Sequence, residues 1–117
     1  MTSDLKMAIG ARVQAARKQA GLTQEALAAA ISKTAESVSN IERGRQLPML
    51  DTLADLAAAL GLPLSELVGD PKVTRGIGRK RLQLEADLIA HIRTMDDVML
   101  AIAVDQVAIL SRTSAKP

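Results

Sequence analysis

The sequence predicts an all-α protein, with five helices packed together in residues 4–68 and a longer helical segment after them. The chain of 117 residues contains no Phe, Trp or Tyr, and 48% of its residues are hydrophobic. Its core must therefore be built from Leu, Ile, Val, Met and Ala, and an alanine-rich composition with few β-branched runs favours helices. No stretch shows the alternation of apolar and polar residues that is typical of a half-buried strand.

The first predicted helix covers residues 5–20, and the second covers residues 24–31. Apolar residues recur in the first helix at positions 5, 9, 13 and 16, which is the period of one buried helix face. We expect Ser3 to cap its start and Gly21 to close its end in a left-handed conformation. Thr23 is the expected cap of the second helix. The inward-facing residues of that helix are Leu27, Ala28 and Ile31.

Three further predicted helices complete this part of the chain. Thr34 is expected to cap a third helix at residues 35–43. A fourth helix ends at Gly61, and a short fifth helix covers about residues 64–68, with Pro63 near its first position. The apolar positions that define the fourth helix are Leu50, Leu53, Leu56, Ala57 and Leu60.

The connection between the second and third helices is very short, because only Ser32 and Lys33 lie between them. A turn of this length forces the two helices to cross at a steep angle, which is the helix-turn-helix geometry. Ala28 is expected where the two helices come closest, and Val38 and Ile41 are expected to anchor the third helix from its other side.

The third helix has one polar face that is expected to be exposed. At about 100° per residue, Glu36, Ser39 and Asn40 fall on the side opposite to Val38 and Ile41. Short amide and hydroxyl side chains suit hydrogen bonding to base edges in a major groove. Together with the tight turn, this face predicts a helix that reads base pairs.

Three stretches of the chain have the spacing of a known family. Residues 21–28 read GLTQEALA, residues 37–44 read SVSNIERG, and residues 53–61 read LADLAAALG. This pattern resembles the Cro and lambda-repressor type of helix-turn-helix, the xenobiotic-response-element (XRE) family of bacterial and phage regulators. The resemblance covers residues 5–68 without a gap, and it implies a five-helix, lambda-repressor-like DNA-binding domain in residues 1–68.

The resemblance also implies DNA contacts for two groups of residues. The positions that face bases in the family match Ala35, Glu36, Ser39 and Asn40. The positions that meet backbone phosphates match Gln24, Lys33, Thr34, Arg43 and Arg45. The implied base contacts are a bidentate pair between Asn40 and an adenine, and a hydrogen bond from a cytosine amine to Glu36. Gln24 is also implied to brace the recognition helix.

Other matched positions concern the fold and lie outside the binding site. Arg17 and Glu42 match a structural ion pair between the first helix and the end of the third. Ser32 departs from the family pattern, since many members have Gly there, and this predicts a strained or differently capped turn. Met49 stands where a Ser or Thr usually caps the fourth helix.

Residues 69–78 are interpreted as a linker, because glycines and a proline interrupt the chain there. Charge is distributed unevenly around it. Residues 1–71 carry seven basic and eight acidic residues, a net charge of −1, whereas residues 72–81 carry five basic residues and no acidic one. Two interpretations stay open: a solvated connector, or a segment that contacts phosphates beside a DNA-reading element.

Residues 79–112 contain no Gly or Pro and predict one helix about 50 Å long, followed by a tail at residues 113–117. A break into two helices near Thr94 is the alternative. The heptad-like seam of this segment consists of Leu88, Ile92, Met95, Met99, Ile102 and Ile109. A second apolar stripe consists of Leu100, Ala103, Val107 and Leu110. Two apolar sides favour pairing with a second chain over complete burial within the monomer.

Several function classes are excluded by composition. The chain contains no Cys and one His, so it has no thiolate zinc ligands and only one imidazole ligand for a metal site. We find no nucleophile–base pair and no phosphate-binding loop, so we expect neither an enzyme nor a cofactor. The longest apolar run, at residues 98–104, is too short for a membrane span, and no secretory signal is recognised. We therefore expect a cytoplasmic protein.

Three hypotheses follow. The first is a homodimeric, sequence-specific regulator of transcription that acts as a repressor. Its helix at residues 35–43 would enter the major groove of a pseudo-palindromic operator. The second is an antitoxin that represses its own operon and binds a toxin protein through the C-terminal helix. The third is an adaptor that uses the helical domain to bind protein without DNA.

Overall fold

The computed structural model of the chain describes residues 2–69 and 78–114. These two ranges form helices and contain no strand, so the all-α prediction is confirmed. The helices are α1 (Thr2–Gln19), α2 (Gln24–Ala30), α3 (Ala35–Glu42), α4 (Leu50–Leu60), α5 (Leu64–Val68), α6 (Arg79–Ile92) and α7 (Asp97–Ser114). Most of the predicted linker, at residues 70–77, and the last three residues of the predicted tail lie outside the described residues.

The predicted caps of the first four helices are largely correct. The hydroxyls of Thr23 and Thr34 accept hydrogen bonds from the backbone nitrogens of Ala26 and Ser37, at 3.0 and 3.1 Å. Gly61 ends α4 with a φ of +70°, which an L side chain rarely adopts. The prediction for Ser3 is wrong: α1 begins at Thr2, so Ser3 lies inside the helix.

Helices α1–α5 enclose one apolar core, which we call the main core. The predicted inward-facing residues of α2 and α3 all lie in it. The buried residues of the main core are Ile9, Val13, Leu27, Ala28, Ile31, Val38, Ile41, Leu53, Leu56, Ala57 and Leu67. Because Val38 and Ile41 are fully enclosed, the opposite side of α3 faces outward.

The half-buried side chain of Arg12 joins α1 to the end of α5. Its Nη1 donates hydrogen bonds to the carbonyl oxygens of Leu67 and Val68, at 3.2 and 2.8 Å. These bonds satisfy carbonyls that have no partner within the short helix. Desolvation by burial lowers the pKa of Arg12, and the nearby carboxylates of Glu85 and Glu66 partly oppose this.

Helix α6 packs along a second side of α1 through a set of small residues that we call the alanine seam. It consists of Ala8, Ala11, Ala15, Leu82, Ala86 and Ala90. Alanine side chains allow two helix axes to approach closely. Arg79, at the start of α6, binds the carbonyl oxygen of Arg43, and the next residue, Gly44, lies against Met7 near the start of α1. Ala90 and Gln19, near the other ends of the two helices, line one groove. The two helices therefore run in the same direction, and α6 is fixed to the α1–α5 domain.

The single helix predicted for residues 79–112 is wrong, and the alternative break near Thr94 is confirmed. The Oγ1 of Thr94 donates to the carbonyl oxygen of His91 at 2.8 Å, at the end of α6. The Oδ1 of Asp96 accepts a hydrogen bond from the backbone nitrogen of Met99 at 2.9 Å and so caps the start of α7. An ion pair between Arg93 and Glu66 of α5 holds the end of α6 in place.

The break divides the predicted heptad seam between two helices. Leu88 and Ile92 belong to α6, Met95 lies in the connection, and the remaining members, Met99, Ile102 and Ile109, belong to α7. A continuous seam on one long helix is therefore excluded, because the helix is interrupted between Ile92 and Asp97.

Helix α7 exposes its apolar residues. Val98 is 71% exposed, Ile102 56% and Leu110 67%, and no residue described in α7 is buried. Complete burial of this helix within the monomer is thus contradicted. None of the helices in the described ranges is both long and apolar enough to span a bilayer.

Candidate nucleic-acid interface

The open face of α3, which we define as Ala35, Glu36, Ser39 and Asn40, contains all four residues predicted to contact bases. Glu36 is exposed and the other three are half-buried. Across the described part of the chain, the side chains of Glu36, Ser39 and Asn40 have no hydrogen bond or ion pair. Their donors and acceptors are therefore free to bind a ligand outside the protein.

The turn before α3 contains a strained residue. Ser32 has a φ of +58°, in the left-handed region that a side chain other than glycine adopts at a cost of about 1 kcal/mol or more. The backbone nitrogen of Lys33 donates to the carbonyl oxygen of Ala28 at 2.9 Å, which closes the turn. The strain predicted from Ser32 is thus found, and the short turn still joins α2 to α3, which share the main core.

A buried polar network fixes the far end of α3. Arg17 of α1 binds the carboxylate of Glu42 in bidentate fashion, with Nε–Oε2 at 2.7 Å and Nη2–Oε1 at 3.1 Å. Arg17 also donates from Nη1 to the carbonyl oxygen of Leu22 at 2.9 Å. The Nε2 of Gln24 donates to Oε1 of Glu42 at 3.0 Å. The implied ion pair and the bracing by Gln24 are both present, and together they link α1, α2 and α3.

Gly10 of α1 is a positioning residue that the sequence prediction did not include. A Cβ atom at this position would overlap the carbonyl oxygen of Ile41 and lie 2.7 Å from that of Glu42. Only glycine permits this approach of α1 to the end of α3. The signal was available, since an isolated glycine inside a helical pattern often marks close packing.

The residues predicted to meet phosphates surround the open face. Lys33, Thr34, Arg43 and Arg45 are exposed, and Gln24 is half-buried because its amide binds Glu42. Arg79, the first residue of α6, donates a hydrogen bond from Nη2 to the carbonyl oxygen of Arg43. The start of α6 therefore lies against the residue that follows α3. Among the described residues, no group of three or more His, Cys, Asp or Glu is placed to hold a metal ion.

Comparison with known proteins agrees with this geometry. The helix-turn-helix family HTH_3 matches residues 13–67. An uncharacterised HTH-type transcriptional regulator, y4dJ of Sinorhizobium fredii, is 38% identical over 65 residues, which are 56% of this chain and 84% of that protein. This chain belongs to the XRE-type helix-turn-helix family of transcriptional regulators. The family resemblance is thus confirmed. The family and these relatives are DNA-binding transcriptional regulators and not enzymes.

Two further relatives extend the comparison. The immunity repressor protein of Bacillus phage phi105 is 41% identical over 64 residues, which are 55% of this chain and 44% of that protein. The chain thus spans less than half the length of this relative. The crystal structure of a hypothetical transcription factor from Neisseria, NHTF, has a TM-score of 0.55 and 28% sequence identity, over 72% of this chain and 88% of that chain. The HTH_3 match ends at residue 67, so α6 and α7 lie beyond it.

Proposed function

We propose that this XRE-family chain acts as a homodimeric, sequence-specific repressor, with α3 in the major groove of a pseudo-palindromic operator. The observation that carries this proposal is the open face of α3. Its polar side chains have no partner among the described residues, while the opposite side of the helix is fixed by the main core and by Glu42. A rigid helix with free short polar groups is what reading of base edges requires.

The open face suggests the following base contacts. Asn40 can donate to and accept from one adenine, and Glu36 can accept a hydrogen bond from the amine of a cytosine. The Ala35 methyl group is small enough to lie against a thymine methyl group. The exposed basic residues Lys33, Arg43 and Arg45 would bind the flanking phosphates, which position the helix but do not specify sequence.

Repression is the regulatory sense that we propose, because one relative is named an immunity repressor. A protein bound across two half-sites excludes other proteins from the same DNA, and this needs neither a cofactor nor an enzymatic activity. The site of action would be the cytoplasm, where a bacterial operator lies.

Selection from a pool of randomised duplexes tests the DNA-reading function. We expect the wild-type chain to enrich an inverted repeat with half-site centres about 10 base pairs apart. Asn40→Ala should lose the preference at one position in each half-site, at a cost of about 1–3 kcal/mol for the preferred base. Gln19→Ala, at the exposed end of α1, serves as the matched control and should keep the wild-type motif. The proposal is wrong if the wild-type chain enriches no motif.

Pairing of two chains through α7 is the second part of the proposal. Seven large apolar side chains of this helix are exposed: Val98, Met99, Ile102, Val104, Val107, Ile109 and Leu110. A helix of 18 residues is about 27 Å long and about 10 Å wide, so burying half of its lateral surface in each copy removes about 850 Å² from water. This is close to the roughly 1,000 Å² of a specific interface, and Leu84 and Leu88 on α6 would add to it.

Light scattering tests whether a second copy of the chain covers α7. We expect the wild-type chain to be a dimer and Ile102→Lys to be a monomer at the same concentration, because a lysine in an apolar interface lacks a partner. Ser111→Lys introduces the same charge at an exposed polar position and should remain a dimer. A monomeric wild-type chain, or a dimeric Ile102→Lys variant, would contradict pairing through α7.

The antitoxin hypothesis is the alternative that the exposed α7 also favours. In that case the apolar residues of α7 would be covered by a toxin protein, while α3 would still bind the operator. A wild-type chain that is monomeric alone, and that forms a one-to-one complex with the product of an adjacent small reading frame, would favour this alternative.

A further inference from the structure

The first three residues of α6, which we call the basic start, are Arg79, Lys80 and Arg81. All three are exposed, and the first turn of α6 contains no acidic residue. Positive charges at the start of a helix lie beside the positive end of its macrodipole, which destabilises the helix. Local helix stability therefore does not account for Arg79 and Lys80, which have no i,i+4 acidic partner.

The charge of the basic start is only partly compensated within the protein. Arg81 forms an exposed i,i+4 ion pair with Glu85 at 2.9 Å. Arg79 donates to a backbone carbonyl, and Lys80 has no acidic partner among the described residues. Two cationic side chains thus remain available to an anion outside the chain.

The position of the basic start is fixed relative to α3. Arg79 binds the carbonyl oxygen of Arg43, so the start of α6 lies against Arg43 at the end of the recognition helix, and Lys80 is the next residue along α6. Packing along the alanine seam holds α6 against α1, and the ion pair of Arg93 with Glu66 holds its other end. Since α1 is joined to α3 through Arg17 and Glu42, the basic start and the open face form one rigid unit.

The helix-turn-helix domain itself has no excess of positive charge. Residues 1–71 carry seven basic and eight acidic residues, a net charge of −1. DNA binding draws much of its affinity from cations that neutralise phosphates. A source of positive charge next to α3 would therefore supply what residues 1–71 lack.

We propose that Arg79 and Lys80 form an additional phosphate-binding site, which extends the contacts of Arg43 and Arg45 along the DNA backbone at the edge of the operator half-site. This inference rests on the proposed operator binding. The site uses side-chain charges alone, and it touches no base. It therefore contributes to affinity and salt dependence and leaves sequence preference unchanged.

The test measures the affinity of purified protein for its selected duplex by fluorescence anisotropy over a range of salt concentrations. Each phosphate contact contributes about 0.9 to the slope of log K against log salt concentration. The double variant Arg79→Gln/Lys80→Gln should lower the magnitude of this slope by about 1.8. The affinity lost between about 50 and about 200 mM salt should then shrink by a factor of about 12.

Two further variants separate this effect from other causes. Lys18→Gln/Arg112→Gln removes the same total charge at exposed positions of α1 and α7, and it should leave the slope unchanged. Lys80→Gln alone should lower the slope by about 0.9, and because Lys80 binds no other described residue, this change cannot come from displacing α3.

The outcomes distinguish this inference from the proposed function. If wild type binds its duplex and the Arg79→Gln/Lys80→Gln variant has the wild-type slope, the additional site is refuted while operator binding stands. An equal fall in slope for the Lys18→Gln/Arg112→Gln control also refutes the site, because the effect then reflects net charge. If wild type binds no duplex, operator binding and the additional site are both refuted.

Discussion

The Nε of Arg17 in α1 donates to Oε2 of Glu42, the last residue of α3, at 2.7 Å. Both residues are almost fully buried, Arg17 at 8% and Glu42 at 5% exposure. The second oxygen of the same carboxylate accepts from Arg17 and from Gln24. One carboxylate thus connects three helices at the end of the recognition helix, and the orientation of the open face depends on it.

Replacing Glu42 by the neutral, similarly shaped Gln should lower the free energy of unfolding by about 3 kcal/mol, because it leaves the guanidinium of Arg17 buried without a counter-charge. Urea unfolding followed by circular dichroism measures the change. The matched control is Arg81→Gln, which breaks an exposed pair with Glu85 and should cost less than about 1 kcal/mol. Equal effects for the two variants would show that the buried network does not fix α3.

Gly10→Ala should destabilise the protein by about 2 kcal/mol. The new methyl group would meet backbone carbonyls of α3, which cannot rotate out of the way as a side chain could. Thermal unfolding checks the stability, and operator affinity checks the displacement of α3. Gly78→Ala is the control, since a Cβ atom there meets no atom of the described residues within 4 Å beyond its chain neighbours. Wild-type stability and affinity in Gly10→Ala would contradict the close approach of α1 and α3.

Ser32→Gly should stabilise the protein by about 0.5–1 kcal/mol. The left-handed φ of +58° strains serine but not glycine, and this gain exceeds the entropy that glycine adds to the unfolded chain. Ser65→Gly, inside α5, should have the opposite effect and cost up to about 1 kcal/mol. If both variants shift the urea midpoint of unfolding in the same direction, the turn is not strained at Ser32.

The α1–α5 helices could be predicted from the sequence because strong local signals mark them. Thr23 and Thr34 are specific caps, and glycines such as Gly61 stop helices whatever they pack against. The short connection at Ser32 and Lys33 likewise determines the crossing of α2 and α3 without reference to the rest of the chain. The ion pair of Arg17 with Glu42 was accessible only through the family resemblance, because no local pattern joins two residues so far apart.

The packing of α6 could not be predicted in the same way. Ala8, Ala11 and Ala15 form the α1 side of the alanine seam, but alanine is common on exposed helix faces and gives little sign of burial. The absence of Gly and Pro from residues 79–112 favoured one long helix. Three contacts stabilise the break instead: the hydrogen bonds of Thr94 and Asp96 to neighbouring backbone atoms, and the ion pair of Arg93 with α5.

Entry of the open face into a major groove is the central claim, and site-directed disulfide cross-linking tests it most directly. The chain contains no cysteine, so Ser39→Cys provides a single thiol on the open face. The probes are two versions of the selected duplex, with a thiol tether on a base in the major groove or in the minor groove. Ser65→Cys, exposed on α5, is the matched control.

We predict that Ser39→Cys forms a cross-link with the major-groove tether and not with the minor-groove tether, and that Ser65→Cys forms neither. The result that would contradict the account is a Ser39→Cys protein that binds the duplex but cross-links to neither groove, or to both grooves equally.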